Sequence, residues 1–280
     1  MILWRLPGLG RVSRGSLLAL LLSSSVGYAA DWPAHRHDIQ RSAVTDEKLS
    51  FPLNLAWRYT CAQRPAPAWR PVTKTLNRLE FDYAPQPVVA NDTVFFGSSA
   101  DDTLRALDIG TGAERWHFIA GGPIRFAPQI AGGRVYFVSD DGYVYCLDGT
   151  SGRPVWIFRA APTDERLLGD TRMISRWPLR CGVLVDDGVV YAVAGMWPSE
   201  GIFVYALDAA TGAVRWCNDT SGAIAPDTAP QVKHPYFFGN WIGLSPQGIM
   251  LANRDTLVVP AGLASPVSFD RATGKLLFFL

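Results

Sequence analysis

A chain of 280 residues with 48% hydrophobic and 18% charged residues has the make-up of a packed protein of one large or two modest domains. Its 26 basic and 25 acidic residues balance, and no basic run or aromatic-basic stripe occurs, which excludes the electrostatic footprint of a nucleic-acid binder. The 10 tryptophans are unusually many, and several recur at one fixed offset.

Residues 1–30 carry Arg5, Arg11 and Arg14 and no acid, then the apolar run SLLALLLSSSV, then small residues at Gly27, Ala29 and Ala30. That order predicts a secretory signal peptide. The run is too short to span a bilayer, and no later stretch offers about eighteen uninterrupted apolar residues, so no membrane span is expected. A lipid anchor would need a cysteine just behind the apolar run, but the first cysteine is Cys61. Cleavage leaves 23 basic against 25 acidic residues in a near-neutral chain bound for the periplasm or the exterior. In that oxidising setting Cys61, Cys146, Cys181 and Cys217 could form one or two disulfides, whose pairing the spacing leaves open.

An N-terminal arm and strand follow at 31–62. His35 and His37, flanked by Asp31 and Asp38, offer two metal-ligand side chains at an extended spacing, short of the four that a structural site needs. The expected reading is a solvated arm lying across the later units.

The chain then repeats itself in four units, at about 84–118, 126–159, 178–218 and 243–279. Each closes on one phrase: Asp108, Thr111, Gly112 and Trp116; then Asp148, Ser151, Gly152 and Trp156; then Asp208, Thr211, Gly212 and Trp216. A fourth copy is degraded, with Asp270, Thr273 and Gly274 kept and Phe278 where tryptophan stood. The aspartates lie 40, 60 and 62 residues apart, a period of about 40–45 with two insertions of roughly 20. Upstream of the phrase, runs such as RVYFVS, YVYCLD and PVWIF are separated by Gly-Gly and Asp-Asp-Gly, which predicts four short antiparallel strands per unit. No sustained 3.6-residue apolar period predicts a long helix.

The phrase has a physical task. Its Asp accepts backbone hydrogen bonds from the turn it opens, Thr or Ser adds another, and Gly takes the positive φ that ends the turn. Four residues on, the tryptophan of the outer strand can lie against the neighbouring unit, burying on the order of 200 Å².

Residue types recurring at five offsets in three copies resemble the tryptophan-docking motif of the quinoprotein type of β-propeller. This is the PQQ-like repeat of quinoprotein dehydrogenases and of BamB-type envelope assembly factors, and the resemblance covers Pro85 to Phe279. It implies an all-β propeller of four-stranded antiparallel blades. Complete propellers of this type have about six to eight blades, so some four blades imply an incomplete propeller within a longer reading frame, with a closed four-bladed ring as the alternative. In that family a strand such as Leu53–Tyr59, with Trp57, completes the last blade.

The resemblance also bears on chemistry. A quinoprotein dehydrogenase needs a carboxylate base, a calcium ion and a flat sandwich around its quinone. The family's adjacent-cysteine disulfide has no counterpart here, so no catalytic residue, metal or cofactor is expected. The alternative is a fragment of a PQQ- and Ca2+-dependent alcohol or sugar dehydrogenase. No phosphate loop, serine elbow or CxxC pair occurs.

The best candidate for binding is the first insertion, where Arg172, Arg176, Trp177 and Arg180 could grip an anion or a partner's carboxylates. The competing reading pairs these arginines with Asp164, Glu165 and Asp170 of the same loop. His117, His234 and Glu200 read as surface or turn residues, and Asp101-Asp102, Asp140-Asp141 and Asp186-Asp187 as turn residues at equivalent positions. The sequence thus predicts an exported, non-catalytic binding or assembly platform of the cell envelope, with protein partners, no nucleic acid, no membrane span and no lipid anchor.

Overall fold

The computed structural model describes residues 30–49, 51–68, 82–169, 171–224, 242–262 and 265–278. The signal-peptide segment therefore lies outside the described residues apart from Ala30, as do His234 and Asp170.

Strands of three to six residues, closed by tight turns, make the first unit from β1 (Val88–Ala90), β2 (Thr93–Gly97), β3 (Thr103–Asp108) and β4 (Glu114–Ile119). The second is β5 (Gln129–Ala131), β6 (Arg134–Val138), β7 (Tyr143–Asp148) and β8 (Pro154–Arg159). A hairpin of β9 (Arg166–Gly169) and β10 (Arg172–Ser175) then precedes the short β11 (Cys181–Gly182). The third unit is β12 (Leu184–Asp186), β13 (Val189–Ala194), β14 (Phe203–Asp208) and β15 (Val214–Asn218). Next, β16 (Ala223–Ile224) pairs with β17 (Ile242–Gly243), and β18 (Gly248–Ile249) runs parallel to β11. The fourth unit is β19 (Leu251–Ala252), β20 (Thr256–Val259), β21 (Val267–Asp270) and β22 (Leu276–Phe278).

Every unit is a four-stranded antiparallel sheet in sequential order, so the fold is an incomplete β-propeller of four blades. Among the described residues the helical content is one 3-10 turn, Pro198–Glu200. The third and outer strands of each blade slip register by a bulge at one place, just ahead of the Asp: Ala106/Leu107, Cys146/Leu147, Ala206/Leu207 and Ser268/Phe269. The extra residue raises the local twist and aims the outer strand at the next blade.

The core lies between blades. Phe95 and Leu104 share a buried cluster with Val135, Phe137 and Leu147 of the second blade. Tyr136, Val144 and Cys146 cluster with Val185, Val190 and Ala192 of the third, and Leu184, Tyr191 and Val204 with Leu257, Val267 and Phe269 of the fourth.

The repeated phrase joins the blades at their outer rim. Asp108 Oδ1 accepts from Thr111 N and Oγ1, both at 2.8 Å, and Asp148, Asp208 and Asp270 repeat the arrangement with Ser151, Thr211 and Thr273. The indole N–H of Trp116 donates to Gly149 O, that of Trp156 to Ala209 O and that of Trp216 to Arg271 O, each at 3.0 Å. Gly152, Gly212 and Gly274 face these rings so closely that a Cβ would come within 2.6, 2.8 and 2.4 Å of them. Each glycine thus meets two demands at once, a φ of 69° to 75° and room for an indole.

Two details differ from the expected pattern. The docked tryptophans are half-buried rather than fully buried, because the outer strands remain open to solvent on their other face. The first blade is also docked: Trp57 donates to Ile109 O at 2.7 Å and covers Gly112, so the extended segment 53–59 behaves as an outer strand, although it pairs with no strand among the described residues. At the other end Phe278 stays 53% exposed.

Two outcomes test this account. Trp116→Ala should destabilise by about 2 kcal/mol in urea unfolding, below the range for a fully buried ring, and Gly152→Ala by at least as much through both φ and ring contact. The half-buried Asp108 and Asp208 are held down to about 2, chiefly by Arg115 and Thr111 for the first and by Arg215 and Thr211 for the second. A depressed carboxyl pKa contributes stability that is present above its unfolded value and lost as pH falls toward the folded one. The protection factors of the Thr111 and Thr211 amides, taken against the intrinsic exchange rate at each pH, should therefore fall between about pH 4 and about pH 2, and Asp108→Asn should abolish that response at Thr111 alone.

Candidate functional site

The loop from β8 to β12 carries the arginines singled out by the sequence, and the hairpin of β9 and β10 folds it back over the rim. Arg172 thereby crosses to the first blade, donating to Ala100 O at 2.7 Å and pairing with Asp102, whose carboxyl is pushed up by burial against the pull of Arg172. Arg176, still 44% exposed, pairs with Glu165 at 2.8 Å and with Glu200, and its guanidinium lies 5.3 Å from the centre of the Trp177 ring. Glu165 and then Glu200 hold the Arg176 guanidinium above its ordinary value. Trp177 is buried, with its indole N–H donating to Glu200 O at 2.6 Å. Arg180 is buried too, its Nε 3.0 Å from Asp140.

The four side chains therefore do not converge on one anion-gripping surface. Each arginine meets an acid on a different loop, because the back-folded hairpin brings neighbouring turns closer than loop-mates. Pairing within the loop holds for Arg176 with Glu165, while Asp164 lies 3.6 Å from Arg166. What the hairpin does present to solvent is apolar: Leu168 is 71% and Met173 54% exposed, directly opposite each other in the ladder.

A second cluster lies beneath this rim. Arg125 donates to Asp140 through Nε at 2.6 Å, and through Nη1 to Asp82 at 2.5 Å and to Ala66 O at 2.6 Å. With Arg180 these groups form a buried chain of alternating charge, Asp82–Arg125–Asp140–Arg180, tying the N-terminal segment to the loops of the first two blades and the approach to the third. Burial pulls the Arg125 guanidinium down, and Asp140 and Asp82 more than compensate.

The paired acids are not all equivalent. Asp101-Asp102 and Asp140-Asp141 close turns between second and third strands, whereas Asp186-Asp187 lies between the first and second strands of its blade. Asp141 accepts from Tyr145 Oη at 2.6 Å and Gly121 N at 2.8 Å. His117 is a surface residue paired with Glu114. His35 and His37 sit on a half-buried arm rather than a solvated one; Trp32 lies against the His37 ring, and burial, then Arg41 and Arg36, keep His35 below its ordinary value. Among the described residues no group of three His, Cys, Asp or Glu side chains could hold a metal ion. The four cysteines are free; Cys146 and Cys181 are buried in different inter-blade clusters, and Cys61 and Cys217 are exposed.

The family model of the outer membrane protein assembly factor BamB matches residues 54–177. Over that stretch the chain is similar to PQQ-like β-propeller repeats. A 139-residue stretch is 34% identical to the serine/threonine-protein kinase AfsK of Streptomyces griseus, covering 46% of this chain and 15% of the kinase. The quinohemoprotein alcohol dehydrogenase of Comamonas testosteroni shares the fold at a TM-score of 0.63 and 18% identity, over 89% of this chain and 41% of that one. A europium-containing methanol dehydrogenase does so at 0.58 and 15%, over 88% of this chain and 48% of its own. The chain thus spans less than half the length of each of these proteins.

A calcium-bound quinone asks for free carboxylate oxygens beside a flat apolar slot. In this propeller the buried carboxylates Asp82 and Asp140 are each neutralised by arginine, and Asp141 is taken up by Tyr145 and backbone amides. These three carboxylates are thus committed to partners within the chain.

The charge chain was missed in the sequence because its members lie on separate loops. The available signal was Arg125 itself, a lone cation inside the run GGPIRFAP. Asp140→Asn should cost about 3–5 kcal/mol in chemical denaturation, since it leaves two buried guanidinium groups short of a counter-charge. Glu165→Gln, at an exposed pair, should cost less than about 1 kcal/mol.

Proposed function

We propose that this chain is an exported, non-catalytic binding platform of the cell envelope, engaging a protein partner through the β9–β10 hairpin. The observation that carries this reading is the hairpin itself. It presents Leu168 and Met173, opposite each other in its ladder, between the Arg172–Asp102 pair beside its turn and the Arg176–Glu200 pair at its base, so an exposed apolar pair sits on a hairpin held by charge at both ends. A large exposed side chain on a pre-ordered stem loses little conformational freedom on binding. The basic, acid-poor start of the chain with its apolar run supports export, and the absence, among the described residues, of a helix able to cross a membrane is compatible with it.

The second reading, a fragment of a PQQ- and calcium-dependent dehydrogenase, draws on the fold shared with the quinohemoprotein enzyme. One experiment separates the two. PQQ and Ca2+ are titrated into the protein expressed from its full reading frame, following quinone absorbance together with thermal stability. A platform shows no saturable, calcium-dependent stabilisation, whereas a dehydrogenase does. In parallel, a photo-crosslinking residue in place of Leu168 should give one discrete adduct in the envelope, lost when Met173→Asp is added; a pattern unchanged by that substitution would sink the hairpin's role.

A further inference from the structure

The N-terminal arm lies along the inner edges of the first, second and fourth blades. Trp32 exchanges both backbone hydrogen bonds with Val89 of β1, at 2.7 and 2.9 Å. Pro33 O accepts from Ile130 N of β5 at 2.8 Å, and Ile39 O from Ala252 N of β19 at 2.9 Å. Toward the third blade the link is a side chain: Arg41 Nη2 reaches Val183 O at 3.4 Å. First strands are the innermost edges of a propeller, lining its axis, and their outward-pointing backbone groups need partners. The arm supplies them, and Ala34 is 1% exposed as a result.

The arm's own conformation is unfavourable. Arg36, His37, Arg41 and Ala43 all have φ between 54° and 79°, a region that costs a residue with a side chain and persists only where the surroundings hold it. The holding group is Arg41. Its Nε donates to Met250 O at 2.9 Å, and its Nη1 to His35 O at 3.2 Å and Asp38 O at 3.1 Å, in addition to the Val183 contact. Four backbone carbonyls, two from the arm and two from separate blades, thus surround one guanidinium.

We propose that residues 31–43 form a strap across the propeller axis and that Arg41 is its buckle, a tethered cation seated among backbone carbonyls whose withdrawal frees the inner edges of the blades. The inference is independent of the rim hairpin, which lies on other loops. Guanidinium is suited to this seat because its planar fork reaches several carbonyls at once and is weakly hydrated.

Amide hydrogen exchange on the full chain tests it. Arg41→Ala should speed exchange at Ile130 and Ala252 about tenfold or more, the loss of charge-assisted hydrogen bonds. Exchange at the docking glycines Gly112 and Gly152 should stay unchanged, and millimolar guanidinium should restore protection at the strap amides while sodium at equal concentration does not. Unchanged exchange at Ile130 and Ala252, or a rise shared equally by the docking glycines, overturns the proposal. So does an effect indifferent to guanidinium, which would assign it to lost packing. If Arg41→Ala does not fold, Arg41→Lys, which keeps the charge and loses the fork, is read in the same way: it should expose the strap amides selectively, and full wild-type protection would refute the buckle.

Discussion

One contact organises this molecule: an indole laid on a glycine. The glycine must turn the chain with a positive φ and must also lack a Cβ, because the ring of the preceding blade occupies that space. A single position therefore couples the shape of a turn within one blade to the placement of its neighbour. Because the contact is repeated at Gly112, Gly152, Gly212 and Gly274, blade spacing is set locally, and the apolar faces between blades meet in register. Insertions between blades leave this spacing alone, which is why the loops before the third and fourth blades can be long.

The interior of the rim works differently. Rim docking depends on neutral shape, whereas the chain from Asp82 through Arg125 and Asp140 to Arg180 depends on buried charge. Such a chain is costly to assemble and far more costly to break at one member, so it specifies how loops from several blades sit rather than adding much net stability. That explains how the arginines of the first insertion, which look like an open anion grip, end up as structural ties. Arg172 is committed to the first blade and Arg180 to the β6–β7 turn of the second, which leaves Leu168 and Met173 as the exposed apolar pair of the hairpin.

The fold was legible in the sequence because its determinants are local. Asp108, Thr111, Gly112 and Trp116 act within one turn and the next blade, so their spacing survives as a readable phrase. The candidate site was only half legible for the opposite reason. Arg176 and Glu165 are near in sequence and were foreseeable as a pair, but Arg125 with Asp82, and Arg172 with Asp102, meet only after separate loops have been brought to one rim. The exposed Leu168 and Met173 were hidden by the same logic: nothing in the letters distinguishes an apolar hairpin tip from a core strand until the ladder shows that no layer covers it.

The arm closes the argument about what holds an incomplete propeller together. Docking at the outer rim fixes only the distance between successive blades, and it leaves the first strands with unsatisfied edges at the axis. The arm crosses those edges, linking the first, second and fourth blades through its backbone and reaching toward the third through the Arg41 side chain. The rim contacts are therefore pairwise, and the arm is the element that makes them collective. The proposed binding hairpin and the strap at the axis share no residues, so the two can vary separately.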